Sequence, residues 1–511
     1  MSLTAIKTIG LWLGFDHPEP FRREGAGRLV FYLVKYLIKN YPITCEIWSY
    51  ECNKKEIHEL FKDLLENAMY SSRIKLITED TFYGKRRPRW EVFQEGMNLA
   101  GRILFSGSHA NWKRPYQHYY RHYGTSFCGW PKVLAMNHNR DNCLRLFPTD
   151  LSFLLVLILS GFIARGIRRM ILKSTILVRQ NIFRDPLAIL ANRYSQANCM
   201  VIPIVSLASG LDVRLPNMII FLDMVNLEFY DYFVAIDANL KQWIEEGKKC
   251  AEEYARQNVY FCGISNYVIE RHLLKFIPNV REENTGHIYL AAMVPDSISE
   301  RVLSRDAIRK KYHIEGQYIF YPTQIRPYKN IITLLKALQL LRLQNTFIYL
   351  VLTAQHGFQY DPNAGEYADK HGLGDQIIFC KSIPELDLYS LYAHADVVTV
   401  TSLFEGGFPL QALEALMMDA PLILSRIPVT LERLTYEGLA PETCGLRLYS
   451  PEDENELAGE IKMVLQNRGE SVRSQTKAKR KLLSYTWDDV SRKYYERLSM
   501  VVERFNHLSN V

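Results

Sequence analysis

The stretch from Phe404 to Pro421, FEGGFPLQALEALMMDAP, sets two carboxylates, Glu405 and Glu414, around a Gly-Gly-Phe-Pro turn. A carboxylate accepts hydrogen bonds from the neighbouring hydroxyls of a sugar or a ribose. A turn that opens a helix adds free backbone N–H groups and the positive end of the helix dipole, which suit a phosphate. Pro409 fits the first helical position. Glu405 then stands on the loop, facing sugar hydroxyls, and Glu414 about a turn into the helix, facing a ribose. A second stretch, YPTQIRPYKNIITLLKAL, holds Arg326 and Lys329 in a turn stiffened by Pro327, ahead of another helical pattern. A fork donor beside a point-charge donor neutralises a diphosphate, although two solvated loop cations share the spacing. A third, FRREGAGRLVFYL, puts Gly25, Gly27 and Arg28 at a helix start. It reads either as an anion-binding turn or as a plain tight turn.

These three stretches need elements to hold them. In the first half, short β-rich runs alternate with helical patterns: KTIGLWL, ITCEIWSY, RIKLIT, KVLAMN, MVIPIVSL, NMIIFLD, VYFCGIS and HIYLAA read as strands. All are apolar on both faces, as strands of a helix-covered parallel sheet are. RLVFYLVKYLIKN and SNYVIERHLLKF read as helices, the second capped by Ser265. The alternation restarts after Arg305 with QYIFYPT, TFIYLVLT, QIIFCK, DVVTVTS and PLILS. The expectation is an α/β protein of two doubly wound domains: 1–297 with insertions near 80–198, then 298–483. A long amphipathic helix over 484–511 crosses back to the first domain. In such sheets ligands sit at the carboxyl ends of the strands, which is where the three stretches fall.

Together they resemble the retaining glycosyltransferase family 4 (glycosyltransferase group 1), whose fold is GT-B, with two Rossmann-like domains facing an interdomain cleft. EGGFPLQALEALMMDAPLIL follows that family's Glu-x7-Glu wording, IRPYKNI stands at its phosphate binders, and GAGRLVFYLV stands at its N-domain glycine loop. CGISNYVIERHL and the tail around Trp487 extend the match. The resemblance implies a hexosyltransferase that moves a sugar with retention from a UDP- or GDP-hexose to a glycan or lipid-linked acceptor, in surface polysaccharide or glycolipid synthesis. It implies no cofactor and no metal. The donor would be held by Gly25, Gly27, Arg28, Arg326, Lys329, Glu405, Gly406, Gly407, Phe408, Pro409, Leu410 and Glu414. Glu405, Arg326, Lys329 and Asp223 would serve catalysis.

The sequence departs from the family in three places. Eight residues separate the two glutamates, one more than the family pattern has. The two outcomes are a Gly406–Gly407 bulge that returns Glu405 to the sugar, which we favour, and a lost donor contact. Leu222 precedes Asp223 where many members carry a His-Asp pair, and His138 in AMNHNRD is a substitute on the acceptor side or a structural histidine. Asp419 replaces a helix-ending glycine, in a left-handed conformation that aspartate tolerates. The absent histidine and the displaced glutamate also fit a non-catalytic GT-B subunit that binds or activates a partner enzyme.

The bulk composition agrees with an ordinary folded protein. The 511 residues are 48% hydrophobic and 23% charged, with a net charge of +7. No zinc-finger or RNP pattern points to nucleic acid, and no Gly-x-Gly-x-x-Gly after the first strand points to a nicotinamide enzyme. Nine scattered cysteines form no Cys-x-x-Cys pair, and the first strand starts almost at once, so free thiols and a cytoplasmic location are expected. Residues 151–173 join a run of about 13 apolar residues, short of the roughly 20 that span a bilayer, to Arg165, Arg168, Arg169 and Lys173. That composition fits a helix on an anionic membrane, peripheral at the inner face of the plasma membrane, or a buried helix with surface arginines.

Overall fold

The computed structural model describes residues 5–15, 25–78, 80–81, 185–237, 239–295, 297–381 and 383–509. The doubly apolar runs form two sheets, and among the described residues the strands pair in parallel. The first holds β1 (Thr8–Leu13), β2 (Thr44–Ser49), β3 (Ile74–Ile77), β4 (Cys199–Ile202), β5 (Asn217–Phe221), β6 (Tyr260–Gly263) and β7 (Thr285–His287). Its order is β3-β2-β1-β4-β5-β6-β7. The second holds β8 (Tyr318–Tyr321), β9 (Tyr349–Leu352), β10 (Ile377–Phe379), β11 (Val397–Val400), β12 (Leu422–Ser425) and β13 (Arg447–Tyr449), in the order β10-β9-β8-β11-β12-β13. Both sheets reverse direction beside their first strand, at β1/β4 and β8/β11. A reversal of this kind splays the loops at the strand ends apart and leaves a crevice. This is the GT-B architecture.

Four helices position the site. Helix α1 (Gly25–Asn40) follows β1 on the N-domain sheet. Helix α2, residues 266–276, follows β6 and is capped by Ser265, whose Oγ accepts from Val268 N at 3.2 Å. Helix α3 (Leu410–Met417) follows β11 and buries Ala412, Leu413, Ala415 and Leu416 in the C-domain core. It stops at Asp419, which takes φ 54°, the left-handed conformation expected for it. Pro409 is the residue flanking the helix rather than its first member. Helix α4 (Trp487–Ser509) leaves the C-domain and packs on α1, with Trp487 and Tyr32 ring centroids 5.3 Å apart. Trp487, Val490, Tyr494 and Leu498 are buried in the same core as β1 and α1.

Two strand expectations need correction. MVIPIVSL pairs only as far as Ile202, because Pro203 has no N–H for the ladder. HIYLAA is not a strand: β7 ends at His287, and the chain beyond it crosses to the second domain. Carbonyls of that crossing serve side chains instead of a sheet. Leu290 O accepts from Arg433, Ala292 O from Trp487 Nε1, and Met293 O from Tyr389 OH. KVLAMN lies outside the described residues.

Candidate active site

The loops after β8 and β11 meet at the C-domain reversal point. Leu403 N donates to Tyr328 O at 2.8 Å and Thr401 Oγ1 to Lys329 O at 2.9 Å, so the two loops are clasped together. This clasp carries Lys329 to Glu405: Nζ lies 2.5 Å from Oε1, and Ser402 Oγ donates to the same oxygen at 2.6 Å. The lysine and glutamate side chains are only 13% and 14% exposed. Burial disfavours the ammonium charge, but the Glu405 carboxylate together with Tyr328 and Tyr321 outweighs it, and the lysine pKa is raised. Arg326 is exposed and donates from Nη1 to Tyr328 OH at 3.0 Å. The two cations read from the sequence thus share a loop but differ in partners.

Across the cleft stands Asp223, at the end of β5. Its Oδ1 accepts from Val225 N at 3.0 Å. Burial raises its pKa, and Glu405 adds to the rise, against the opposing pull of the Val225 N–H, His272 and Lys329. Glu405, Lys329 and Asp223, although far apart in sequence, therefore lie within electrostatic reach of one another. The Gly406–Gly407 turn is pressed onto the N-domain. A Cβ on Gly406 would sit 2.6 Å from Leu222 O and 3.1 Å from Asp223 Oδ2. Ser265 Oγ donates to Gly406 O at 2.6 Å. The extra residue between the glutamates thus lies at a close approach of two backbones that only glycine permits.

Glu414 behaves differently. It is 3% exposed, and both its oxygens are engaged: Arg28 Nη2 lies 2.6 Å from Oε1, and Tyr392 OH donates to Oε2 at 2.8 Å. Arg28 also donates to Met293 O. Burial opposes the arginine's charge, and Glu414, Tyr389 and Tyr32 together more than restore it. Gly25 and Gly27 form the first turn of α1 itself rather than a loop before it, so Arg28 enters the cleft from within a helix. Phe408 and Leu410 pack in or against the C-domain core.

The structure brings in residues that the sequence did not single out. Glu432 of the C-domain accepts from Asn266 N at 2.8 Å and Tyr267 N at 2.7 Å, capping α2 from the other domain. His272, fully buried on a π-helical turn of α2, lies between the Asp223 and Glu405 loops. Neither carried a legible spacing. An aromatic layer of Phe229, Phe233, Tyr267, Tyr328 and Phe404 fills the space around it. His138, Arg165, Arg168, Arg169 and Lys173 lie outside the described residues. Among the described residues no helix is long and apolar enough to cross a membrane.

Residues 304–482 match the family model described as Glycosyl transferases group 1. Over 162 residues the chain is 28% identical to the O-antigen chain mannosyltransferase B of Escherichia coli. That match covers 31% of this chain and 40% of the relative, so the chain spans well under half the length of the curated relative it matches. Among solved structures, Anabaena Alr3699/HepE in complex with UDP aligns at 14% identity and a TM-score of 0.53, covering 97% of this chain and all of the other. The sucrose-phosphate synthase of Thermosynechococcus elongatus aligns at 13% identity and a TM-score of 0.54, covering 98% of this chain and all of the other.

Proposed function

We propose that this chain, whose C-terminal domain is a glycosyl transferases group 1 domain in a GT-B architecture, is a nucleotide-sugar-dependent hexosyltransferase. It transfers with retention to a glycan or lipid-linked acceptor in surface polysaccharide or glycolipid synthesis. The observation that carries this reading is the meeting of Lys329, Glu405 and Asp223 at the reversal point of the C-domain sheet, with Arg326 on the same loop. The donor's diphosphate takes Lys329 and Arg326, freeing Glu405 for sugar hydroxyls and, once Arg28 is drawn off, Glu414 for the ribose. The bond from the sugar's anomeric carbon to the phosphate oxygen breaks, and the acceptor oxygen bonds to the same face. The departing phosphate oxygen takes the acceptor's proton. The cations supply the charge neutralisation, so no metal is needed. Asp223 orients the acceptor from the N-domain side.

The name of the Escherichia coli relative favours a mannosyl donor, and the UDP bound in HepE favours a uridine one. Thermal-shift screening against UDP- and GDP-hexoses, followed by transfer assays with lipid-linked acceptors and EDTA present, tests the proposal. A stabilising donor and a product with a new glycosidic bond of retained configuration are expected. Absence of both with every common donor overturns it. The close packing of Gly406 on Leu222 favours a second reading, a non-catalytic subunit that activates a partner. That reading gains if Lys329→Ala leaves cellular glycan synthesis intact.

A further inference from the structure

We infer that His272 is a positioning residue of this site, tying the loop that carries Asp223 to the loop that carries Glu405. The inference rests on the function proposed above. His272 Nδ1 accepts from Met224 N at 2.8 Å. That bond fixes the ring's tautomer: Nδ1 is an acceptor, so the proton sits on Nε2. Nε2 then donates to Glu228 Oε2 at 2.7 Å, and the Glu228 pKa is lowered by that hydrogen bond. Met224 follows Asp223 directly, so the imidazole holds the backbone that aims the aspartate. The ring's face does the second half of the work. It stacks on Phe404 with centroids 4.7 Å apart and planes 10° apart. Phe404 immediately precedes Glu405.

The helix is altered at this point. Residues Ile269–Leu273 form a π turn inside α2, and such one-turn bulges recur at functional sites because the extra residue re-aims a side chain. The two contacts also differ in permanence. The Met224 bond lies within the N-domain, whereas the Phe404 stack joins the two domains. The imidazole is therefore a fixed platform onto which the C-domain loop docks, and docking brings Glu405 up to Asp223. A core histidine with a purely packing role needs neither the fixed tautomer nor a flat stack beside Glu405.

Two substitutions separate the halves. His272→Phe keeps an aromatic face for Phe404 and removes the acceptor for Met224 N–H. His272→Asn keeps an acceptor near the Nδ1 position and removes the face. Amide hydrogen exchange over 222–229 and 401–408 of the full chain is read alongside steady-state kinetics with the donor that stabilises the wild type. His272→Phe is expected to speed exchange in 222–229 by about tenfold, and His272→Asn to speed it in 401–408 while 222–229 stays protected. In both, kcat falls about tenfold or more while the donor KM changes less than threefold, because misplaced groups lose the transition state rather than the ground state. Unchanged exchange in both segments, or altered exchange with unaltered kcat, overturns the inference. If His272→Phe unfolds the protein, His272→Asn alone decides it. A wild type that transfers no sugar defeats the proposed function, and the exchange measurements then still decide whether His272 ties the two loops.

Discussion

Glu405 and Glu414 flank one turn, yet they are held in opposite ways. Glu405 is paired with Lys329 inside its own domain, on two loops hydrogen-bonded to each other. Glu414 is paired with Arg28 of the other domain, on a helix whose remaining face is core. The first pair survives any hinge motion and is broken only by a competing anion. The second is broken when the domains part. One carboxylate thus answers to ligand charge and the other to domain position, and a donor that brings both a diphosphate and a ribose engages both at once.

The largest test of this contrast is Lys329→Ala. It removes the cation that faces the leaving group and is expected to lower kcat by about 10²- to 10³-fold, the loss seen when one preorganised charge-stabilising donor is deleted. A loss confined to KM would move Lys329 from the reacting centre to simple binding. Next in size is Glu414→Ala, which strands Arg28 in the domain interface. The expected cost is about 3 kcal/mol of stability, since removing one partner of a buried pair leaves an uncompensated charge. Small-angle scattering is expected to show a larger radius of gyration for Glu414→Ala and an unchanged one for Glu405→Ala. Equal expansion in both would erase the distinction. The smallest effect is expected from Glu405→Gln, which releases Lys329 from its carboxylate. Inorganic pyrophosphate binding, followed by calorimetry, should tighten about threefold, as expected for a partly screened charge. Glu414→Gln should leave it nearly unchanged.

The fold was legible because strands buried on both faces are continuous apolar runs: eleven of the thirteen described strands fall on runs read from the sequence, and β7 shares only His287 with one. The exceptions have local causes. HIYLAA has strand composition, but its Leu290 and Ala292 carbonyls are claimed by Arg433 and Trp487, and no periodicity reports that. β13 at Arg447–Tyr449 is a three-residue edge strand, too short for a pattern. At the site, the two charged loops were legible through residue type and spacing. The Arg28–Glu414 pair joins residues 386 apart in the chain; the family resemblance puts both at the donor, but no spacing encodes their contact with each other. His272 was hidden for a different reason. It looks like any histidine in an apolar helix, and the π turn that aims it depends on backbone hydrogen bonding rather than composition.

The return of α4 to the N-domain also orders events in time. Trp487, Val490, Tyr494 and Leu498 complete a core whose first strand is Thr8–Leu13. During synthesis the ribosome must therefore emit the whole C-domain before the N-domain can close its hydrophobic centre. Domains that fold as the chain emerges usually settle from the N-terminal end. In this chain the N-domain core is complete only once residues 487–498 have emerged, and part of its apolar surface stays uncovered while the C-domain is being made.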